Sequence, residues 1–314
     1  MLKNKLDISV VIPNYNSRTT IRVCLQSILN QSLPKDRYEV IVVDSSTDET
    51  PEIIQSEFSS VRFIHRERKT LPGPARNIGI QNAYADLIMF MDSDCIAKQD
   101  TLERVLRRHR EGDYAGVGGS VVNGFPFSPI GWADHLLSFS PFLPSMKENV
   151  VYHIPTCNVC YKAEALHKLG LFPTYDFITH DFMGDDLIFS WKITSNGGRI
   201  LFDPSIEMVH LNRVKFKSYT AHQWKLGWSA ALVARCTELP TKLFVNYPAL
   251  SIFLPMVRSG SIVWRLLRRD FKSLSIMVII FPLYLLGVLY WAGGFYKGAM
   301  LNEDKFKAAI SKKI

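Results

Sequence analysis

A chain of 314 residues, 47% of them hydrophobic, can bury a substantial core, which excludes disorder and favours one large domain with an appendage over several small domains. The net charge of +8 is unevenly placed: residues 241–314 hold 11 Lys and Arg against 3 Asp and Glu, while residues 1–240 hold 26 of each. A neutral body with a basic, apolar tail argues against a nucleic-acid partner, which needs a basic recognition face, and for an anionic membrane surface.

Ile8–Pro13 is a β-rich run, followed by Ser17 as a candidate cap and by Ile21, Leu25, Ile28 and Leu29 at helical spacing. Glu39–Val43 reads as a second strand ending at Asp44, and Thr50 with Pro51 offers an N-cap and a first-turn proline for a helix through Phe58. Val61–His65 is a third strand, and Gly73–Pro74 opens a helix through Ala83. Leu87–Met91 is then a continuous apolar run of the kind buried on both faces of a parallel sheet. This order predicts an open, mainly parallel α/β sheet, whose ligands bind outside the carboxyl ends of the strands. The carboxylates fall at those ends: Asp44 closes the second strand and Asp92 the fourth, with Asp94 two positions on.

Asp100 to Glu103 resembles a capping box for a solvated helix bearing Arg104, Arg107, Arg108 and Arg110. From Gly112 to Pro155 the pattern weakens to one strand at Ala115–Val122 and a Pro- and Phe-rich stretch, Phe125 to Pro144, expected to be flexible acceptor-side structure. A helix at Lys162–Leu169, an acidic segment at Asp181–Asp186 leading into a helix to Thr194, and a strand near Arg199–Phe202 complete a body of residues 1–240. Cys24, Cys95, Cys157, Cys160 and Cys236 are an odd number with no signal-like segment ahead of them, so no disulfide framework is expected and the body should fold in a reducing cytoplasm. Cys157 and Cys160 form a C-x-x-C without the second pair that a structural zinc site needs, and read as small packing residues.

Two aspartates one residue apart at the end of a buried strand can present both carboxylates to one hard cation, Mg2+ or Mn2+, which would neutralise a diphosphate leaving group. Arg76, in the first turn of the preceding helix, can meet phosphate, and Asp44 can accept a hydrogen bond from a base or ribose. No G-x-G-x-x-G follows the first strand, which sets aside a dinucleotide-binding oxidoreductase. Asn14-Tyr15-Asn16 stands where a sugar nucleotidyltransferase would carry its glycine-rich start.

Four blocks in order resemble the successive nucleotide-sugar motifs of the family 2 glycosyltransferases of GT-A fold. They are Val10-Val11-Ile12-Pro13-Asn14-Tyr15-Asn16, Val43-Asp44-Ser45-Ser46-Thr47-Asp48, Ala75-Arg76-Asn77-Ile78-Gly79 and Phe90-Met91-Asp92-Ser93-Asp94, within a match over residues 7–230. The resemblance implies a GT-A type nucleotide-sugar-binding sheet with helices on both faces, joined to C-terminal membrane-associated helices. It implies an inverting transfer from a nucleotide-diphosphate sugar, with a UDP-sugar favoured. Asp44 would contact the base, Pro13, Asn14, Tyr15, Asn16 and Ser93 would line the nucleotide, and Arg76 would lie near the diphosphate. Asp92 and Asp94 would hold Mn2+ or Mg2+, Asp94 being the surest contact. His210, after Asp203-Pro204, stands where the family sometimes places a further metal ligand, although a lone histidine is as often structural.

Cys157-Asn158-Val159 and Leu169-Gly170-Leu171-Phe172 resemble the family's acceptor-side segment, which implies an acceptor contact at Asn158. Gly184-Asp185-Asp186-Leu187 is similar to its Gly-Glu-Asp motif: Asp186 falls on the general base, and Asp185 replaces the usual glutamate. A base is needed because a sugar hydroxyl is a poor nucleophile. The plainer alternative is that both aspartates cap the helix that follows. Trp224, Lys225 and Trp228 lie near the family's Q-x-x-R-W region, but Gln223 is followed directly by tryptophan, so processive polymerisation is not supported. Trp224 could stack on sugar and Lys225 meet a lipid phosphate, or both could pack a helix.

In residues 241–314, Ser273–Phe295 approaches the roughly 20 residues that span a bilayer, interrupted by Pro282, Gly287 and Gly293-Gly294. Leu243–Val257 is apolar but short, and Arg258 to Lys272, with Trp264, Arg265, Arg268 and Arg269, reads as a basic interfacial helix. Placing that linker outside opposes the positive-inside tendency, and a single span would leave Lys305 to Lys313 outside. Interfacial or re-entrant helices on the cytoplasmic face of a membrane are therefore expected, with one true span as the second choice. The acceptor expected is a hydroxyl of a lipid-linked or membrane glycan. A polyprenyl phosphate acceptor and a catalytically silent membrane scaffold are the alternatives, and nothing in the sequence speaks to oligomeric state.

Overall fold

The computed structural model describes residues 6–173 and 182–301, so Asp181 and the basic end from Lys305 to Lys313 lie outside the described residues. β1 (Ile8–Asn14), α1 (Ile21–Leu29), β2 (Tyr38–Asp44), α2 (Thr50–Glu57), β3 (Arg62–His65), α3 (Pro72–Gln81) and β4 (Leu87–Phe90) alternate as expected. Then come β5 (Cys95–Ala97), α4 (Thr101–Glu111), β6 (Gly116–Asn123), α5 (Pro129–Phe139), β7 (Asn149–Val151), β8 (Val159–Lys162), α6 (Ala163–Lys168), α7 (Asp185–Ser195) and β9 (Ile200–His210). Helices α8 (Phe216–Cys236), α9 (Lys242–Asn246), α10 (Leu254–Arg269), α11 (Phe271–Ile279) and α12 (Phe281–Ala299) finish the described chain.

The strands form one sheet in the order β3-β2-β1-β4-β8-β6-β9-β5, with β7 also paired to β9. β1, β2, β3 and β4 are mutually parallel. Antiparallel pairs join β8 to β4 and to β6, and β5 and β7 to β9. The result is a mixed α/β sheet. Two compact units emerge: Met1–Val122, Phe142–Pro173 and Phe189–Leu211 form one, and Asn123–Pro141, Thr174–Ile188 and Asn212–Ile314 the other. The expected boundary at residue 240 falls inside the second unit.

In the first unit β1 is buried at all seven positions, as its Ile-Val-rich sequence requires of a strand covered on both faces. An aromatic cluster lies beyond β4: Phe90 meets Phe172 edge-on at 5.1 Å, and Phe172 meets Phe189 at 4.9 Å. Asn77 of α3 clamps this cluster with two backbone hydrogen bonds, accepting from Phe172 N and donating to Phe172 O, both at 2.9 Å. Arg104, Arg107 and Arg110 of α4 face outward as expected, paired with Asp100, Glu111 and Asp7, whereas Arg108 is mostly buried and pairs with buried Asp203.

Several local expectations need correction. Thr50 does not cap α2; its hydroxyl bonds Asp48 Oδ1, which also accepts from Thr50 N. Ser17 directs its hydroxyl to Asn14, and Glu103 accepts from Ser32, so neither the first cap nor the capping box forms. The stretch expected to be flexible contains α5, started by Ser128 at its N-cap and Pro129 at its first position. Strands β5, β7 and β8 also escaped detection; β5 and β7 have three residues each, too few for a periodicity to register.

The second unit is helical. α8 and α12 run side by side in parallel: Tyr219 Oη donates to Leu283 O, Gly294 meets the Trp224 carbonyl, and Arg235 donates to Ala299 O. Their backbones are so close that a Cβ on Gly227 would stand 1.8 Å from the Trp291 carbonyl oxygen. Gly287, Gly293 and Gly294 therefore lie inside α12 as packing positions and do not interrupt it. The break falls earlier, at Ile280 ahead of Pro282, where α11 and α12 bend by 88°. Asp134, on α5, is fully buried and accepts from His222 Nδ1 at 2.7 Å, Gln223 Nε2 at 2.9 Å and Arg213 N. These partners hold its carboxyl well below the usual range despite burial.

Two stability measurements check this packing. Gly227→Ala and Gly294→Ala should each cost about 1–3 kcal/mol or more in denaturation, through overpacking. Gly260→Ala, whose Cβ would meet nothing, should be neutral or stabilising by up to about 1 kcal/mol. Burial lowers the His109 pKa to about 4, with its Nε2 3.2 Å from the Cys160 carbonyl. The unfolded ring takes its proton first, so stability is whole above about pH 6.5, declines below it and levels near pH 4; His109→Gln should flatten that window.

Candidate functional site

The parallel register brings the ends of β1 and β2 together, with Asn14 opposite Asp44. Asp44 is fully buried, and both oxygens are engaged: Oδ1 accepts from Asn14 Nδ2 at 2.6 Å and Ser46 Oγ at 2.5 Å, and Oδ2 meets Ser46 N and the His65 ring at 3.1 and 2.7 Å. Four contacts fill what a carboxylate can accept. A base therefore reaches Asp44 only by displacing the half-exposed His65 ring. Pro13 is buried within β1 opposite Val43. Tyr15 is exposed beneath the Lys69 ammonium, 4.6 Å from the ring centre. Asn16 takes φ +51°, which asparagine tolerates, and its side chain accepts from Thr47 N at 2.8 Å.

At the end of β4 the two aspartates part company. Asp92 accepts from Arg76 Nη2 at 2.9 Å, and Arg76 is buried in the second turn of α3, not its first, with its guanidinium 5.7 Å from the Phe172 ring centre. Ser93 forms the turn between them, half-buried. Asp94 instead faces β9, its carboxylate 3.6 Å from His210 Nε2, while its carbonyl accepts from Leu211 N at 2.8 Å. Atoms bound to one ion at 2.0–2.3 Å stand about 3–4 Å apart, so this oxygen and nitrogen fit the metal that the sequence implies. Asp92 is turned toward the arginine.

The Asn158 side chain is fully buried, and its Nδ2 donates to Ser120 O and Ile206 O, each at 2.9 Å, bracing three strands of the sheet. The second unit holds the other expected residues. Asp185 is buried and Asp186 half-buried in the first turn of α7, where Asp186 Oδ1 accepts from Leu187 N at 2.7 Å. Phe182 and Ile188 on either side pack on Leu232 and Val233 of α8. Trp224 is 41% exposed and lies over Gly293 of α12, with half-buried Lys225 beside it.

Two residues of this neighbourhood were not singled out from the sequence. His65 ends β3, and only the register of β2 and β3 sets it opposite Asp44. Cys95 directly follows the D-x-D pair, and its Sγ lies 4.0 Å from Asp94 Oδ1. The donor atoms of Asp94, Cys95 and His210 lie within 4.8 Å of one another.

Residues 9–170 match the family model described as Glycosyl transferase family 2. A glycosyltransferase named AglE from Haloferax volcanii is 27% identical, the alignment covering 70% of this chain and 71% of that protein. The dolichyl N-acetyl-alpha-D-glucosaminyl phosphate 3-beta-D-2,3-diacetamido-2,3-dideoxy-beta-D-glucuronosyltransferase of Methanococcus voltae is 25% identical across 96% of this chain and 99% of its own. Among solved structures, a mannosyltransferase of Pyrobaculum calidifontis in complex with GDP-Man and Mn2+ superposes with a TM-score of 0.62 at 18% identity, covering 93% of this chain and 87% of that one. Staphylococcus aureus TarS residues 1–349 in complex with UDP-GlcNAc gives 0.54, also at 18% identity, covering 96% and 92%. With a family model spanning more than half its length and a sheet of matching architecture, the chain belongs to glycosyltransferase family 2 and is a glycosyltransferase of GT-A fold.

Proposed function

We propose that this enzyme moves a sugar, with inversion, from a nucleotide-diphosphate sugar, UDP-linked by preference, to a hydroxyl of a lipid-linked or membrane glycan at the cytoplasmic face of a membrane. The observation that carries the donor half is the division of the aspartates: Asp94 with His210 on one side, Asp92 with Arg76 on the other. Mn2+ or Mg2+ held by Asp94 and His210 would supply positive charge against the diphosphate. Arg76, oriented by Asp92 and held over Phe172, adds a fixed cation to the same group. Pro13, Asn14, Tyr15, Asn16 and Ser93 line the nucleotide, with Asp44 accepting from the base once His65 yields.

Asp186 is the base. Its carboxylate takes the proton of the acceptor hydroxyl as the oxygen attacks the anomeric carbon and the bond to the diphosphate breaks, which inverts that centre. Asp185, shorter than the usual glutamate and more buried, steadies the same turn. Trp224 and Lys225 offer an aromatic face and a cation to the acceptor's sugar or phosphate.

Membrane placement rests on the second unit. Ile252, Met256, Phe271, Val278 and Ile279 are exposed apolar side chains among Arg265, Arg268, Arg269 and Lys272. Pro248–Arg269 is the one described helix long and apolar enough to cross a membrane. α11 and α12, bent by 88°, are long and apolar enough only together, as a broken span or a re-entrant loop, and the re-entrant form agrees with interfacial attachment. The Methanococcus voltae relative acts, by its name, on a dolichyl-linked sugar, which favours a lipid-linked hydroxyl over a bare lipid phosphate.

Incubating the enzyme with labelled nucleotide sugars, membrane lipid extract and Mn2+ should transfer label to lipid. A chelator should stop it and Asp94→Asn should lower it by about 100-fold or more, whereas chelator-resistant transfer would contradict the metal site. Asp186→Asn should lower transfer to a hydroxyl by about 100- to 10,000-fold with donor binding retained. Undiminished transfer would instead identify an acceptor that is already ionised, a polyprenyl phosphate.

A further inference from the structure

We propose that the Cys95 thiol is a third protein ligand in the Asp94–His210 ion site, so that the site accepts a thiophilic divalent ion such as Zn2+, Co2+ or Cd2+ more tightly than Mg2+. The proposal rests on the reading of Asp94 and His210 as the metal-holding pair. β5 and β9 are antiparallel with Cys95 directly opposite His210, and residues opposite one another project from the same face of a sheet. Asp94 is tied to this pair by the hydrogen bond from Leu211 N to its carbonyl. Oxygen, nitrogen and sulfur thus converge at one end of this strand pair, at 3.6 Å between Asp94 and His210 and 4.0 Å between Asp94 and Cys95.

Both Cys95 and His210 are buried, which shields the ion from competing water on that side. Asp92, the other expected ligand, is directed to Arg76, so sulfur takes the place that a second carboxylate would fill. A donor set of one carboxylate, one imidazole and one thiol suits a borderline ion; Mg2+ prefers oxygen throughout. Ligation replaces the thiol proton, which passes to solvent as the sulfur–metal bond forms. The Cys157 thiol lies against Cys95 and is the competing sulfur.

Titration of the full-length protein with Co2+ tests this by absorbance. The wild type should show a thiolate-to-cobalt charge-transfer band that Cys95→Ser lacks and Cys157→Ser keeps. Cys95→Ser should weaken Zn2+ or Cd2+ binding by about tenfold or more and Mn2+ binding much less. Circular dichroism and thermal melting confirm that each variant is folded, and Cys95→Ala serves if the serine variant is not. Co2+ bound with visible ligand-field bands but without the charge-transfer band would overturn the proposal while leaving Asp94 and His210 as the metal pair. A band lost in Cys157→Ser instead would assign the sulfur to Cys157 and overturn it equally. No Co2+ binding by the wild type would defeat both this proposal and the metal reading beneath it.

Discussion

The parallel register of β1 with β2 on one side and β4 on the other is the constraint from which the donor end follows. Asn14 stands opposite Asp44, and Val11 opposite Phe90, so both acidic strand ends emerge on the same edge of the sheet. The edge is costly to build. Burying a carboxyl group such as Asp44 requires hydrogen-bond partners for both oxygens, and Asn14, Ser46 and His65 provide them. Residues that read as nucleotide contacts are therefore also structural partners of one another. A loss of activity on changing Asn14 or Asp44 reports stability as well as binding, whereas Asp94, half-exposed and outside that cluster, reports on chemistry more cleanly.

The same reasoning explains what the sequence disclosed. β1, β2 and β4 were legible because each is an apolar run ended by proline or aspartate, and the motifs sit at those ends; β3 was read from Val61, Phe63 and Ile64 and ends at His65. Asp94, Arg76 and Asp92 came with them. His210 was named without its partner being visible, since its approach to Asp94 depends on an antiparallel pairing across more than a hundred residues of chain. His65 was hidden because only the parallel register of β2 and β3 sets it opposite Asp44. A family motif does not say whether a side chain faces ligand or sheet, and the Nδ2 of Asn158 is bonded to two backbone carbonyls of the sheet.

The second unit was harder to read. Gly287, Gly293 and Gly294 looked like interruptions in an apolar run, yet Gly294, with Gly227 of α8, is where two helix backbones touch. The real break, at Ile280, is announced only by Pro282. α5 was missed because proline and phenylalanine suggested a loop, although Ser128 and Pro129 carry the usual helix-start signal. Its Asp134, shared by His222, Gln223 and Arg213, ties α5 to α8 and to the segment that leads into it. A buried charge so fully partnered fixes register more than it adds stability. Fold-level likeness carries none of this, because specificity resides in the site.

The central claim is that an ion held by Asp94 and His210 secures the donor's diphosphate. Calorimetric titration of UDP and GDP into the protein, with and without Mn2+, tests it without requiring the acceptor. At least one nucleotide should bind about tenfold or more tighter with Mn2+ present, and that gain should vanish in Asp94→Ala. Equal affinity with and without Mn2+ in the wild type would contradict the account.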